Sequence, residues 1–297
     1  MSEPTDSIPR ARTGTLWLVA TPIGNLGDLG PRAAATLAAA QLLIAEDTRH
    51  TAQLLKTCGI ERPPGTVLSL HEHNERARTP DLVGRLLSGE DIALVSDAGT
   101  PLVSDPGAAL VAAAARAGIA VSAIPGPCAA IAGLTLSALP AERFCFEGFL
   151  PAKAPARRRA LEGLQRETRT LVFYEAPHRI AETLADMAAV LGVSRPAAVA
   201  RELTKKFETV YRDSLSGLAA RAAQDADLAR GEIVVVVQGA DDSHADVADD
   251  EVDRVLRLLL AELPTSQAAK LAAQISGRAR KELYERALSL QDRALEP

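Results

Sequence analysis

From Thr15 to Pro125 the sequence repeats one phrase, a short apolar run followed by a longer segment rich in Ala and Leu. The runs are TLWLVA (15–20), QLLIA (41–45), TVLSL (66–70), IALV (92–95) and VSAIP (121–125). Each run has the length of a strand and each intervening segment has room for a helix, so the phrase predicts βαβ units and a parallel sheet. Boundary residues agree: Pro31 stands at a first helical position after Gly30, and Gly59 and Gly118 close helical segments. This α/β domain is expected over residues 14–140, behind a polar tail at 1–13.

A second series follows, RFCFEGFL, RTLVFYE, AAVAREL, ETVYRD and EIVVVVQG, with helical segments near 156–167, 178–191 and 214–224. Residues 197–203 and 208–213 are too close for a helical crossover, which predicts antiparallel pairing there. Seven of the nine aromatic residues lie between Phe144 and Tyr211, so this second α/β domain, 141–239, is built with a different core or for a different ligand. The acidic stretch ADDSHADVADDE predicts a linker over 240–250. Beyond it, 251–297 reads as helical, with Pro264 as a break, Ser266 as an N-cap and Gly277 as a turn. Helix-turn-helix and plain helical packing both suit this extension.

Two domains are also what 297 residues imply, since single cores stop growing near ~250–300 residues. The net charge of −5 argues against a uniformly basic nucleic-acid binder but leaves room for local basic patches. Cys58, Cys128 and Cys145 form no C-x-x-C, so neither a disulfide framework nor a zinc site is expected. No apolar run approaches the ~20 residues of a membrane span, and the N-terminus lacks the apolar stretch of a signal peptide. A reducing, cytoplasmic setting is expected.

In open parallel sheets ligands bind outside the carboxyl ends of strands, which directs attention to five loops. The first, TPIGNLGDLG, has glycines at 24, 27 and 30, a spacing that matches neither dinucleotide nor P-loop fingerprints. The fourth, SDAGTPLVSDPG, is twelve residues long, against ~2–6 for an ordinary βα connection. Within it Asp105, followed by Pro106, reads as the N-cap of the next helix. Asp97, followed by Ala98-Gly99, reads as a ligand contact, with an Asx turn as the alternative. His71 and His73 of LHEHNE share a strand face but lack a third ligand, so no metal is expected. In AEDTRHT, Asp47 is an expected N-cap and Arg49 a candidate for phosphate or carboxylate. Glu175 of FYEAPHR suits a cation or ribose hydroxyls, and equally a capping or interdomain ion-pair role. Lys153, Arg157, Arg158 and Arg159 concentrate positive charge, as a polyanion contact or a solvated helix face.

ATPIGNLGDL, AEDTRHT, SDAGTPLVSDPG, IPGPCAAI, GFLPAK, FYEAPHR and ARELTKKFE, in this order, together resemble the ribosomal RNA small subunit methyltransferase I branch of the tetrapyrrole methylase superfamily. The resemblance covers about residues 14–239, and the C-terminal tail is similar to the family's helix-turn-helix extension. It implies two α/β domains of the tetrapyrrole methylase type with an S-adenosylmethionine cleft between them, a homodimer, and no membrane partner. The implied reaction is 2′-O-methylation of cytidine 1402 in the decoding region of 16S rRNA, in the 30S subunit. A cationic cofactor without phosphate also accounts for the missing phosphate cradle.

Carried over by motif, Ile23, Asp97, Thr100, Cys128 and Ala129 are the cofactor-side residues, with Tyr174 and Glu175 closing the second-domain side. The chain reads PGPCA where many relatives read PGPSA, which removes a hydroxyl at 128 and leaves the backbone. Arg49, His71, His73, Lys153, Arg157, Arg158, Arg159, Arg201, Lys205 and Lys206 are the implied RNA contacts. For the group that assists the ribose hydroxyl, Glu46, Asp97, Glu175 and His73 stay open. The rivals are a methyltransferase acting on a corrin or porphyrin precursor and a non-catalytic RNA-binding assembly factor.

Overall fold

The computed structural model describes residues 13–241 and 249–293. The expected tail, apart from Thr13, and residues 242–248 of the expected linker lie outside the described residues. The first half alternates β1 (Thr15–Val19), α1 (Pro31–Ala39), β2 (Leu42–Ala45), α2 (Thr48–Thr57), β3 (Val67–Ser69), α3 (Glu75–Leu87), β4 (Ile92–Val95), α4 (Ala108–Arg116), β5 (Ala120–Ile124) and α5 (Ala129–Leu136). Its strands form one parallel sheet in the order β3-β2-β4-β1-β5. Both faces are covered, and the side chains alternate accordingly. Leu42 and Ile44 pack with Leu16, Leu82 and Leu110 on one face, while Leu43 and Ala45 pack with Val19, Leu37 and Leu55 on the other.

The second half runs through β6 (Phe144–Phe149), α6 (Ala154–Leu164), β7 (Thr170–Glu175), α7 (Ile180–Leu191), β8 (Pro196–Arg201), β9 (Thr209–Ser214), α8 (Leu215–Ala222) and β10 (Ile233–Val237). The sheet order is β6-β7-β10-β8-β9, with β6 and β7 parallel and the other pairs antiparallel. Ile233 pairs with both Glu175 and Arg201, so the ends of β7 and β8 and the start of β10 share one edge of the sheet.

Helix α5 belongs to the first half by sequence but packs on the second sheet. A Cβ on Gly133 would stand 2.7 Å from Val234 Cγ1, so helix and strand touch backbone to side chain with no room for a methyl group. Ile23, Ala130 and Leu134 thereby join Val172, Ala198, Leu203 and Val234 in one buried cluster drawn from both halves. At about 25 cal/mol per Å² of apolar surface removed from water, that shared cluster holds the two sheets together.

Helices α9 (Asp249–Glu262), α10 (Thr265–Ser276) and α11 (Arg280–Arg293) close over a core of their own, including Val252, Leu256, Ala269, Ala272, Leu283 and Ala287. Two details differ from the expectations. The helix begins at Asp249, inside the expected linker, and Pro264, not Ser266, occupies the N-cap position of α10. Proline at the cap has a β-region backbone and no competing N–H, which starts the helix without a side-chain bond. Gly277 ends α10 in the left-handed conformation, φ 74°. Among the described residues no helix is long and apolar enough to cross a membrane.

Candidate active site

In the first sheet β4 and β1 are neighbours whose following connections leave in opposite directions, toward β5 from β4 and toward β2 from β1. This is the topological switch point, where a crevice opens outside the strand ends. Thr21 and Gly99 pin the two loops together there, each N–H donating to the other's carbonyl at 2.9 and 3.1 Å.

Above that pair lies a cavity of about 380 Å³ walled by both halves. The first half contributes Ile23, Ala98, Thr100, Val103, Ser104, Asp105 and Ala129; the second contributes Phe149, Tyr174, Glu175, Leu203 and the Gly231–Val234 strand start. The walls are mostly apolar. Thr100 Oγ1 donates to the Pro127 carbonyl at 2.9 Å, tying the β4 loop to the turn before α5. The Tyr174 hydroxyl accepts the Ala130 N–H at 3.2 Å across the cavity, and the rings of Phe146 and Phe149 meet Tyr174 edge-on at 4.9 and 5.6 Å. Burial pushes the Tyr174 phenol well above its ordinary range, so it stays protonated.

The β4 loop carries the strain of the site. Leu102 and Ser104 hold φ of 72° and 69°, conformations unfavourable to residues with a Cβ and concentrated at functional sites. Their course brings Asp105 into the cavity. The expectation that Asp105 caps α4 is corrected: Gly107 occupies the N-cap position with φ 123°, and Glu75 Oε1 of α3 accepts from the Ala109 and Leu110 N–H groups at 2.7 and 3.3 Å. With the helix end satisfied from elsewhere, the Asp105 carboxyl is free to face the cavity. Burial first, then the charge of Glu46, pushes its pKa up to about 6, opposed by a hydrogen bond with Ser96. It has no cationic partner among the described residues.

Asp97 lies one residue outside the cavity, beside Ala98. Its Oδ1 accepts the Asp47 N–H at 3.0 Å and its Oδ2 meets His50 Nδ1 at 3.1 Å. Glu46 stands near it, its pKa raised by burial and then by the charges of Asp97 and Asp47. Asp47 caps α2 through the Arg49 N–H, as its sequence position predicts, and also grips the Arg49 guanidinium, which holds its carboxyl far below the ordinary range.

Ile23, Thr100, Ala129 and Tyr174 thus converge on the cavity. Cys128 sits at the N-cap position of α5 without a side-chain cap; its carbonyl accepts the Ala132 N–H at 3.0 Å. Glu175 reaches the wall, but the expectation of a reacting carboxylate there is corrected. Its side chain is 0 % exposed and bonded to Arg179 Nε at 2.9 Å and Thr183 Oγ1 at 2.6 Å, an ion pair within the second half rather than the expected capping or interdomain one. Asp105, Val103, Ser104, Phe149 and Leu203 were not among the expected contacts. The unusual length of the β4 loop was the available signal for the first three.

Of the expected RNA contacts, Arg49 projects into solvent, 87 % exposed, and Lys153, Arg158 and Arg159 are exposed. Arg157 and Arg201 are corrected. Arg157 is 1 % exposed and lies against Asp186, Nε to Oδ2 2.7 Å; Arg201 is 9 % exposed and donates to the Arg230 and Phe207 carbonyls. Both guanidiniums are spent inside the fold. Lys205 packs its stem over Gly24 and pairs with Glu202 and Glu232, and Lys206 lies 5.6 Å above the ring of Phe207. His71 is bonded to Asn74 through its Nε2 at 3.0 Å, while His73 is exposed on the same turn.

The chain matches the family model for tetrapyrrole (corrin/porphyrin) methylases over residues 15–219 and that for the RsmI C-terminal HTH domain over residues 246–291. It is 56% identical to the ribosomal RNA small subunit methyltransferase I of Xylella fastidiosa (strain Temecula1), over 91% of this chain and 98% of that one. To the protein of the same name from Pseudomonas aeruginosa it is 51% identical, over 95% and 99% of the two chains. A solved structure, the uroporphyrin-III C-methyl transferase of Thermus thermophilus complexed with S-adenyl homocysteine, shares the fold. It aligns with a TM-score of 0.51 at 17% identity, over 76% of this chain and 97% of that one.

Proposed function

Because the chain belongs to the tetrapyrrole methylase family, in its ribosomal RNA small subunit methyltransferase I branch, we propose that it methylates the ribose 2′-hydroxyl of cytidine 1402 in 16S rRNA, using S-adenosylmethionine. The observation that carries the cofactor reading is the donor set of the cavity. Its walls are apolar and aromatic, it contains no phosphate cradle, and the half-buried Asp105 carboxyl lacks a cationic partner among the described residues. A cationic nucleoside ligand fits that set and a nucleotide phosphate does not. Ile23, Leu203 and Val234 would bury the apolar faces of the ligand, Thr100 and Ala129 would offer backbone groups beside it, and Asp105 would balance its positive charge. When bound, S-adenosylmethionine supplies an electrophilic methyl group on a sulfonium leaving group.

What the protein's own residues do is orient and exclude water. Thr21 and Gly99 hold two loops in register, and Tyr174 closes the cavity across the two halves, the kind of fixed geometry that can supply several kcal/mol to a transfer reaction. Lys153 and Arg159 offer solvent-facing positive charge for the rRNA backbone, with the exposed faces of Arg49 and Arg158, each paired to a carboxylate (Asp47 and Asp186), beside them, and the three C-terminal helices add a second contact unit. A homodimer is part of the same reading, implied by the family. The test is methyl transfer from labelled S-adenosylmethionine to 30S subunits and to free 16S rRNA, with nuclease mapping of the product. Label on the ribose of one cytidine is expected; label on a base, or no cofactor binding at millimolar concentration, would overturn the reading.

A further inference from the structure

We propose that His50, held by Asp97, takes the proton of the acceptor hydroxyl, and that the pocket it lines receives the nucleotide carrying that hydroxyl. The proposal rests on the reading of the chain as a ribose methyltransferase.

A second pocket, of about 330 Å³, opens beside the cofactor cavity and is lined by Pro22, Gly24, Leu26, His50, Leu54 and Asp97 among others. The two spaces share their walls residue by residue. Pro22 and Gly24 face this pocket while Ile23 faces the cavity; Asp97 faces this pocket while Ala98 faces the cavity. The same two loops at the sheet's switch point border both spaces, so a nucleotide in this pocket and a cofactor in the cavity would be neighbours, with transfer requiring the hydroxyl to reach past the loops to about 3–3.5 Å from the methyl carbon. Pro22, Leu26 and Leu54 give the pocket apolar surface for a nucleoside, and the Lys205 stem lies over Gly24.

His50 is the group in this pocket with the chemistry of a base. Its Nδ1 lies 3.1 Å from Asp97 Oδ2, and the other Asp97 oxygen is fixed by the Asp47 N–H at 3.0 Å. The carboxylate thus places the ring proton on Nδ1 and turns Nε2, with its lone pair, outward; the side chain is 68 % exposed. A base oriented by a third group is the recurring arrangement for activating a hydroxyl. The other candidates are engaged or displaced: Glu175 is buried against Arg179 and Thr183, Asp97 is the group that orients His50, and Glu46 and His73 line neither space. The charges around His50 are Asp97 from the β4 loop, Glu46, Asp47 and Arg49 from its own turn, and Lys205 beyond Gly24.

In the transfer the hydroxyl oxygen forms a bond to the methyl carbon as the carbon–sulfur bond breaks, its electron pair staying on sulfur. The sulfonium becomes a neutral thioether. The hydroxyl proton passes to His50 Nε2, and the resulting imidazolium rests against the Asp97 carboxylate before losing the proton to solvent.

The experiment compares wild type, His50→Gln and Asp97→Asn in single-turnover methylation of saturating 30S subunits from about pH 5 to 9, with S-adenosylmethionine and 30S binding measured separately. His50→Gln is expected to lose roughly 10²–10⁴-fold in rate and the acid limb of the pH profile, with both affinities unchanged. Asp97→Asn is expected to slow the reaction and to move the ring proton off Nδ1 in a ¹⁵N NMR spectrum of the cofactor-free protein. His50→Ala, should the amide variant fold poorly, is expected to regain rate with added imidazole. A His50→Gln enzyme that keeps the acid limb, or whose loss is one of 30S affinity alone, overturns the proposal. Wild-type enzyme that labels no ribose overturns the functional reading itself, before any variant is compared.

Discussion

Asp105 keeps a carboxyl half out of water opposite Glu46 and Asp97, and burial more than charge raises its pKa from 3.8 to about 6. A raised folded-state value means the native state holds the proton longer than the unfolded chain does, so this group's stabilising contribution is complete below 3.8 and lost as pH rises through about 6. The interval converts to about 3 kcal/mol, which solvent screening of a half-exposed group reduces to on the order of 1 kcal/mol. Asp105→Asn should therefore gain about 1 kcal/mol relative to wild type between about pH 4 and 7, measured by urea unfolding at each pH. Cofactor affinity should move the other way. A cation favours the ionised carboxylate, so calorimetric binding of S-adenosylmethionine should tighten from about pH 5 to 7 in wild type and lose that dependence in Asp105→Asn. Equal profiles for the two proteins would take Asp105 out of the cofactor site.

At the scale of elements, α6 and α7 are joined by a buried ion pair. Arg157 and Arg158 grip the two oxygens of Asp186 at 2.7 and 2.6 Å, and Arg157 Nη1 also reaches the Ala152 carbonyl. Removing one partner strands the other in low dielectric, so Asp186→Ala should cost about 3–5 kcal/mol in denaturant unfolding. Arg159→Ala, on the exposed face of the same helix, should stay within about 0.5 kcal/mol. The same contrast predicts where RNA affinity resides: Arg159→Ala should weaken 30S binding and flatten its salt dependence, whereas any loss in Arg157→Ala should track its folded fraction.

Over the whole molecule, α5 makes the two α/β halves one cooperative body. Enlarging Gly133, which has no space before Val234, should cost about 1–3 kcal/mol and weaken cofactor binding together, because Ala129 and the Tyr174 bond to Ala130 ride on the same helix. Gly133→Val with weakened stability but unchanged S-adenosylmethionine affinity would separate the two. The C-terminal helices carry their own core. Ending the chain at Asp241 should leave cofactor affinity intact and lower 30S affinity, read by calorimetry and filter binding on the same preparation.

The amino-acid sequence by itself determined the elements. IALV is β4 residue for residue, TLWLVA, QLLIA and TVLSL each contain their strand, VSAIP misses the first residue of β5, Ala120, and the Asp47 cap, the Pro31 start and the Gly277 stop stand where local chemistry puts them. Periodicity, caps and turns are short-range properties, written in neighbouring residues. Only the tertiary structure decided what the side chains were left to do. Asp105-Pro106 before a helix has the local form of a cap, yet Glu75, 34 residues upstream of Ala109, took that task and released Asp105 to the cavity. Arg157 sits in the same basic run as Arg158 and Arg159, yet α7 brought Asp186 to it from 29 residues away. Each donor and acceptor must find one partner, and which partner arrives first is settled by packing across the chain.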